Sequence, residues 1–326
     1  MKTPLLRRLA LAAALLASCG VLTAQTAQTA PTTPTTRACP PPPPAPPAAD
    51  STPARDRGLL WKLTRDGRSS WLYASIHVGR PEWLRPGPTL EQALRDSDLV
   101  ALEVDITSPD TARQMAQALA DVKVPALPDA LRQRIQRLAD RACLPTLAQD
   151  RLQQSHPAMQ LMALTIVEGL WEGLAPTYAQ EIALALHARA NNRSVVGLES
   201  VQAQLAALLP PPGEPLLPQI DQALDQLERD QLRPTLRRLA AAWEGGDLAT
   251  IADYPRWCNC LPDAAAQRAL ERLNDDRNPG LAAAIEALHQ RDMKVFAAVG
   301  VLHMTGPQAL PLLLQRMGFV VERVPL

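Results

Sequence analysis

Residues 295–302 read VFAAVGVL, an unbroken apolar run that ends on His303 and is followed by Thr305, Gly306 and Pro307. A run this short, bounded by turn residues, predicts a strand buried on both faces. Such strands belong to α/β sheets, where ligands bind beyond the strands' carboxyl ends. A second run, WLYASI, stops in the same way on His77, with Gly79 close behind. These two runs constrain the fold more tightly than any other feature.

The rest of the chain fits that frame. LLWKLTRDGRSSWLYASIHV predicts two strands joined by a tight turn at Asp66–Gly67. RPGPTLEQALRDSD predicts a short helix introduced by prolines. LVALEVDI predicts a buried strand with Glu103 embedded in it, and RSVVGLES a strand with Glu199 just past its end. Long helical stretches are expected over about 108–192 and 201–288, and the C-terminus closes as strand, helix and strand. Strands alternating with helices define an α/β fold: a central mixed sheet flanked by helices, with large helical insertions. Within the first insertion, PAMQLMALTIVEGLWEGL has apolar positions at helical spacing but carries Glu168 and Glu172. It predicts a core helix, with Met159 and Met162 in the core, and not a membrane span.

The N-terminus reads as processing signals. Lys2, Arg7 and Arg8 precede the apolar LALAAALLA, which is too short to span a bilayer stably, so residues 1–24 are expected to be an export signal. Two cleavage readings stay open. Leu16 to Cys19 has the pattern of a bacterial lipoprotein signal ending before a lipidated Cys19, and an ordinary signal peptidase could cut after Ala24. Gly20 is not an acidic retention residue, so a lipidated form would go to the outer membrane. Either way the mature protein is expected outside the cytoplasm, in the periplasm or anchored to the outer membrane of a Gram-negative bacterium. Residues 25–57, rich in Pro, Thr and Ala, lack the apolar content to fold and predict an extended tether ahead of a domain at 58–326.

Lys plus Arg and Asp plus Glu both number 33, a net charge of zero that gives no support for nucleic-acid binding. Besides Cys19 there are Cys39, Cys143, Cys258 and Cys260, an even count that suggests disulfides in an oxidising compartment, with three pairings open. WCNC lacks the two-residue spacing of a zinc ribbon. A bond between Cys258 and Cys260 would close a small ring, so each is expected to pair elsewhere.

His77, Glu103, Glu199 and His303 thus sit at or near strand ends. Taken singly, each has a structural explanation. Together, two imidazoles and two carboxylates form a typical set for a divalent transition metal, with Mn, Co or Zn as candidates. Such a metal would acidify a bound water into a nucleophile. His156, His187 and His289 lie in Ala-, Gln- and Arg-rich helical surroundings and read as solvated, and the six tryptophans read as packing residues.

From about Gly58 to the C-terminus the chain resembles the TraB/GumN family, which also takes in the Tiki membrane-anchored proteases. The family's hallmark is a pair of distant GxxH motifs with a glutamate in the strand after the first. The second motif is intact as Gly300–His303; the first is ASIH, Ala74–His77, with alanine in place of glycine. Alanine would be strained if that position needs positive φ, and suffices if it only needs a small side chain. Glu103 in ALEVD matches the strand glutamate, GLES at Gly197–Ser200 a further element, and Arg277–Asn278 an Arg-Asn motif.

The resemblance implies a fold related to the haem-binding ChaN and erythromycin-esterase proteins and, for the Tiki branch, a metal-dependent protease. It implies His77 and His303 as metal ligands or proton-transfer groups. Glu103 would be a ligand or general base, Glu199 a further ligand, and Arg277 an oxyanion stabiliser supported by Asn278. The expected function is an exported metal-dependent hydrolase acting on a peptide or small molecule. The rival reading is a non-enzymatic envelope module that holds haem or a metal ion.

Overall fold

The computed structural model describes residues 39–46, 54–211 and 213–326. The export signal, with Cys19, lies outside the described residues, as does most of the tether. Six strands form one mixed sheet: β1 (Leu59–Arg65), β2 (Arg68–Ser75), β3 (Leu99–Leu102), β4 (Ser194–Gly197), β5 (Val295–Gly300) and β6 (Val320–Val324). Their spatial order is β4-β3-β5-β2-β1-β6. β4, β3, β5 and β2 run parallel to one another, and β1 is antiparallel to both of its neighbours, β2 and β6. The hairpin turns at Asp66 and Gly67, with φ of 53° and 74°, the pair of left-handed residues an Asp-Gly turn supplies most easily. β5 is central and buried at every position, which explains its continuous apolar sequence. The edge strands β4 and β6 are largely exposed and more polar.

Helix α1 (Pro88–Arg95) connects β2 to β3. Its first amides, on Thr89 and Leu90, donate to the Asp56 carboxylate at 3.0 and 2.9 Å, so the segment entering the domain caps this helix. The first insertion, between β3 and β4, holds α2 (Pro109–Ala120), α3 (Asp129–Arg141), α4 (Thr146–Gln154), α5 (Pro157–Glu168) and α6 (Gln180–Ala190). The second, between β4 and β5, holds α7 (Val201–Leu208), α8 (Leu216–Glu228), α9 (Leu232–Glu244), α10 (Leu248–Ala252), α11 (Tyr254–Trp257), α12 (Ala264–Leu273) and α13 (Asn278–Gln290). α14 (Leu310–Arg316) links β5 to β6.

Two cores result. One lies on the sheet and takes in Leu72, Ala101, Phe296, Val299, Leu281, Ile285 and Trp243. The other is built only from the insertions, with Ile135 and Leu138 of α3, Leu152 of α4, Leu164 of α5, and Ile220, Leu224 and Leu227 of α8. α5 ends on Glu168, buried between Arg141 and Arg233 at 2.5 Å each, which compensates its charge. Among the described residues no helix is long and apolar enough to cross a membrane. Met159 and Met162, expected in the core, are only half-buried; Leu164 and Val167 carry the packing of α5 instead.

Three further expectations are corrected. Cys258 bonds Cys260, and Cys39 bonds Cys143 across 104 positions. The short ring closes because Asn259 takes a left-handed φ of 53°, a conformation asparagine tolerates. His289 is fully buried. Its Nδ1 faces the Ser70 hydroxyl at 3.1 Å and its Nε2 the Arg65 carbonyl at 3.2 Å, partners more than 200 positions away. The strands also stop earlier than expected: Glu103 follows the end of β3, and His303 lies on a 3-10 turn (Val301–Met304) after β5.

Candidate functional site

The parallel order places one candidate residue beyond the carboxyl end of each of four adjacent strands. Glu199 follows β4, Glu103 follows β3, His303 follows β5 and His77 follows β2. Register brings the two histidine motifs together, since Ser75 lies opposite Gly300 in the β2–β5 pair. Gly300 is the point of convergence. A Cβ there would stand 3.2 Å from Glu103 Oε1, 3.4 Å from His77 Nε2 and 3.6 Å from His303 Cδ2. Glycine is needed here for close approach and not for positive φ. Ala74, at the corresponding place in the first motif, is buried in β2 and is not among the residues with positive φ, so a small side chain suffices.

His303 is 3% exposed and held from both sides. Its Nδ1 lies 2.6 Å from Asn278 Oδ1, an acceptor, so Nδ1 carries the proton. Asn278 is itself fixed by donating to the carbonyls of His303 (3.2 Å) and Gln308 (2.8 Å). Nε2 then has a lone pair, and Arg277 Nη1 donates to it at 3.2 Å. Burial pushes the His303 pKa down to about 4 against the attraction of Glu103, so the ring is neutral at pH 7.

Burial alone would raise the Glu103 carboxyl, but His303, His77, Arg277 and the Gly300 amide outweigh it and hold it down to about 2. Because His303 is neutral at pH 7, the charges that act there are those of Arg277 and His77. Glu103 Oε1 accepts from the Gly300 amide at 2.8 Å, and Oε2 accepts from Arg277. Arg277 also donates to Glu199 through Nε (3.2 Å) and Nη2, and to the Leu273 carbonyl at 2.9 Å. It therefore bridges both carboxylates and His303. An oxyanion role for Arg277 would require it to give up one of these bonds. Glu199 sits beside Glu103 because the Leu102–Leu198 and Glu103–Glu199 backbone pairs continue past the strand ends, at 2.7 and 3.1 Å. Burial raises its pKa in spite of Arg277.

His77 is the open member of the set, 65% exposed. Its Nδ1 lies 3.0 Å from Glu181 Oε1, the second residue of α6. That carboxylate pushes the His77 pKa up to about 9, against the opposing effect of burial, and water at the open face of the ring screens part of the attraction. The Ser75 hydroxyl donates to the same oxygen, while Glu181 Oε2 is buried without a hydrogen-bond partner among the described residues. The start of α6 is fixed against this loop by the Gln180 amide on the Ile76 carbonyl (3.1 Å) and by the two bonds between Gly79 and Ala175 (2.9 and 2.8 Å). A Cβ on Gly79 would meet the Tyr178 carbonyl at 2.1 Å, so only glycine allows that approach.

Glu181 was not legible as a site residue. An acid on an Ala/Leu-rich helix reads as solvated, yet Glu181, Leu184, Ala185 and Ala188 share the buried face of α6. That periodicity was the signal available.

The donor set, as arranged, does not fit a metal ion. Glu103, Glu199 and His303 all accept hydrogen bonds from Arg277, and His77 is held in its protonated form. Among the described residues no group of three or more His, Cys, Asp or Glu side chains could hold a metal.

A mixed sheet with two imidazoles, two carboxylates and an arginine gathered at the carboxyl edge of its parallel strands defines an α/β protein with one composite polar site. The model of the TraB/PrgY/gumN family matches residues 59–323, and the chain belongs to that family. No curated protein and no solved structure matches it significantly.

Proposed function

We propose that the protein is a hydrolase of amide or ester bonds, working by general acid–base catalysis between two imidazoles of opposite protonation state. The observation that carries the reading is the meeting of His77 and His303 around Gly300 with their proton affinities driven apart. Titratable pairs separated in this way supply an acid and a base at the same pH. His303, neutral with its lone pair on Nε2, takes a proton from the attacking water once Arg277 Nη1 releases that nitrogen. His77, protonated and oriented by Glu181, gives a proton to the leaving group. Arg277 holds His303, Glu181 holds His77, and the charges of Glu103 and Arg277 act on both rings. His77 lies at the open face of the site, where a substrate arrives, and His303 lies behind it.

Export to the periplasm or outer membrane, and a peptide or small molecule as substrate, are part of this proposal. The Pro-rich leader and signal-like N-terminus support the first. Catalysis by a metal-bound water would require Arg277 to withdraw from three ligands and His77 to lose its proton, whereas the acid–base reading requires Arg277 to release only its bond to His303 Nε2.

Metal analysis of untagged protein, combined with turnover of a peptide library and of chromogenic esters with and without chelator, tests the proposal. We expect hydrolysis that survives chelation. Stoichiometric metal with chelator-sensitive turnover would replace the acid–base reading by a metal-dependent one, and the absence of any turnover would defeat both.

A further inference from the structure

We infer that Cys258–Cys260 is an exchange-active disulfide whose reaction partner is a small-molecule thiol. A cross-link stabilises a fold more the longer the loop it closes, the effect growing with the logarithm of that length. Cys39–Cys143 closes a separation of 104 positions, and Cys258–Cys260 one of only 2, so the second bond contributes little as a staple. Its surroundings suit exchange better. Cys258 is 1% exposed, whereas Cys260 is half-buried and the exposed Asn259 stands between them. Trp257 and Asn259, the neighbours of Cys258 in the chain, line an open cleft of about 490 Å³ together with Thr235 and Arg238, room enough for a small thiol. Arg238 lies 4.4 Å over the Trp257 ring and fixes that wall.

The two sulfurs have different roles. An incoming thiolate attacks Cys260 Sγ, which belongs to the less buried of the two residues and lies 3.6 Å from the Tyr254 hydroxyl, and forms a mixed disulfide. The Sγ–Sγ bond breaks and its electron pair leaves on Cys258 Sγ, which lies 3.1 Å from the Cys260 amide, a donor suited to a thiolate. A second thiolate attacks the mixed disulfide at the small-molecule sulfur and releases Cys260. Both protein thiolates then take up protons. The protein disulfide is reduced to two thiols while two small thiols are oxidised to one disulfide, and the reverse sequence oxidises the protein.

The test is incubation of the full chain in mixed reduced and oxidised glutathione, followed by alkylation and peptide mass mapping. In the wild type, Cys258 and Cys260 should become alkylatable together in excess reduced glutathione while the far-ultraviolet circular dichroism stays native. Cys258→Ala should accumulate glutathione on Cys260, and Cys260→Ala should load Cys258 at least about tenfold more slowly, because attack follows access. A wild-type pair that stays closed, or variants that load at equal rates, would overturn the assignment. The wild-type measurement does not depend on whether either variant folds.

Discussion

His289 and His303 are both buried, at opposite ends of the same parallel strands, and they differ in almost every other respect. His289 stands at the amino end, beside Ser70, the third residue of β2, and near Val295, which begins β5. Both of its nitrogens are tied to groups with no charge to move, and Ser70 Oγ in turn accepts from the Val295 amide at 3.1 Å. His303, at the carboxyl end, has one nitrogen tied to Asn278 and the other turned toward Arg277, with Glu103 3.9 Å away. Burial lowers the pKa of both. A buried histidine is therefore not a functional signal in itself. What separates the two is a second imidazole and two carboxylates arriving from neighbouring strand ends.

Substitution should break this comparison cleanly. His303→Ala should lower turnover of the folded fraction by ~10²–10⁴-fold, the usual worth of a positioned proton-transfer group, and also cost stability, because it too is buried and leaves Asn278 Oδ1 without its partner. His289→Ala should cost stability alone. It opens a cavity and leaves the Ser70 hydroxyl and the Arg65 carbonyl without partners, at a cost of about 2–4 kcal/mol in denaturant unfolding, with turnover unchanged in the folded fraction.

Glu181→Gln should have the smallest effect and the most specific one. Turnover needs His303 unprotonated and His77 protonated, so it should rise through about 4 and fall through about 9 as pH increases. Removing the Glu181 charge takes away what raises His77. The alkaline limb should then move down toward the ordinary histidine value of 6.5 while the acid limb stays in place. An alkaline limb that does not move would separate Glu181 from His77.

Sequence reading recovered much of this site because its residues follow the most recognisable elements. The apolar runs before His77 and His303 end in turn residues, and the four candidates fall beyond parallel strands as that pattern requires. What it missed depended on pairings between distant segments. Glu181 reaches His77 only because α6 docks on the loop after β2. His289 looks solvated until Ser70, 219 positions away, is brought beside it. The helical insertions were legible as helices, but nothing local indicated that α8 of the second would complete a core begun by α3 and α5 of the first. Ring size argues against a Cys258–Cys260 bond, and nothing in the local sequence signals the left-handed conformation of Asn259 that permits it.

The central claim concerns two protonation states, and nitrogen-15 NMR titration of the imidazoles in the intact protein reads them without any substrate. The account predicts a His77 that stays protonated through neutral pH and titrates near 9, beside a His303 that keeps its proton on Nδ1 and gains a second only near 4. Two rings titrating together near 6.5, or a His303 carrying its proton on Nε2, would contradict it.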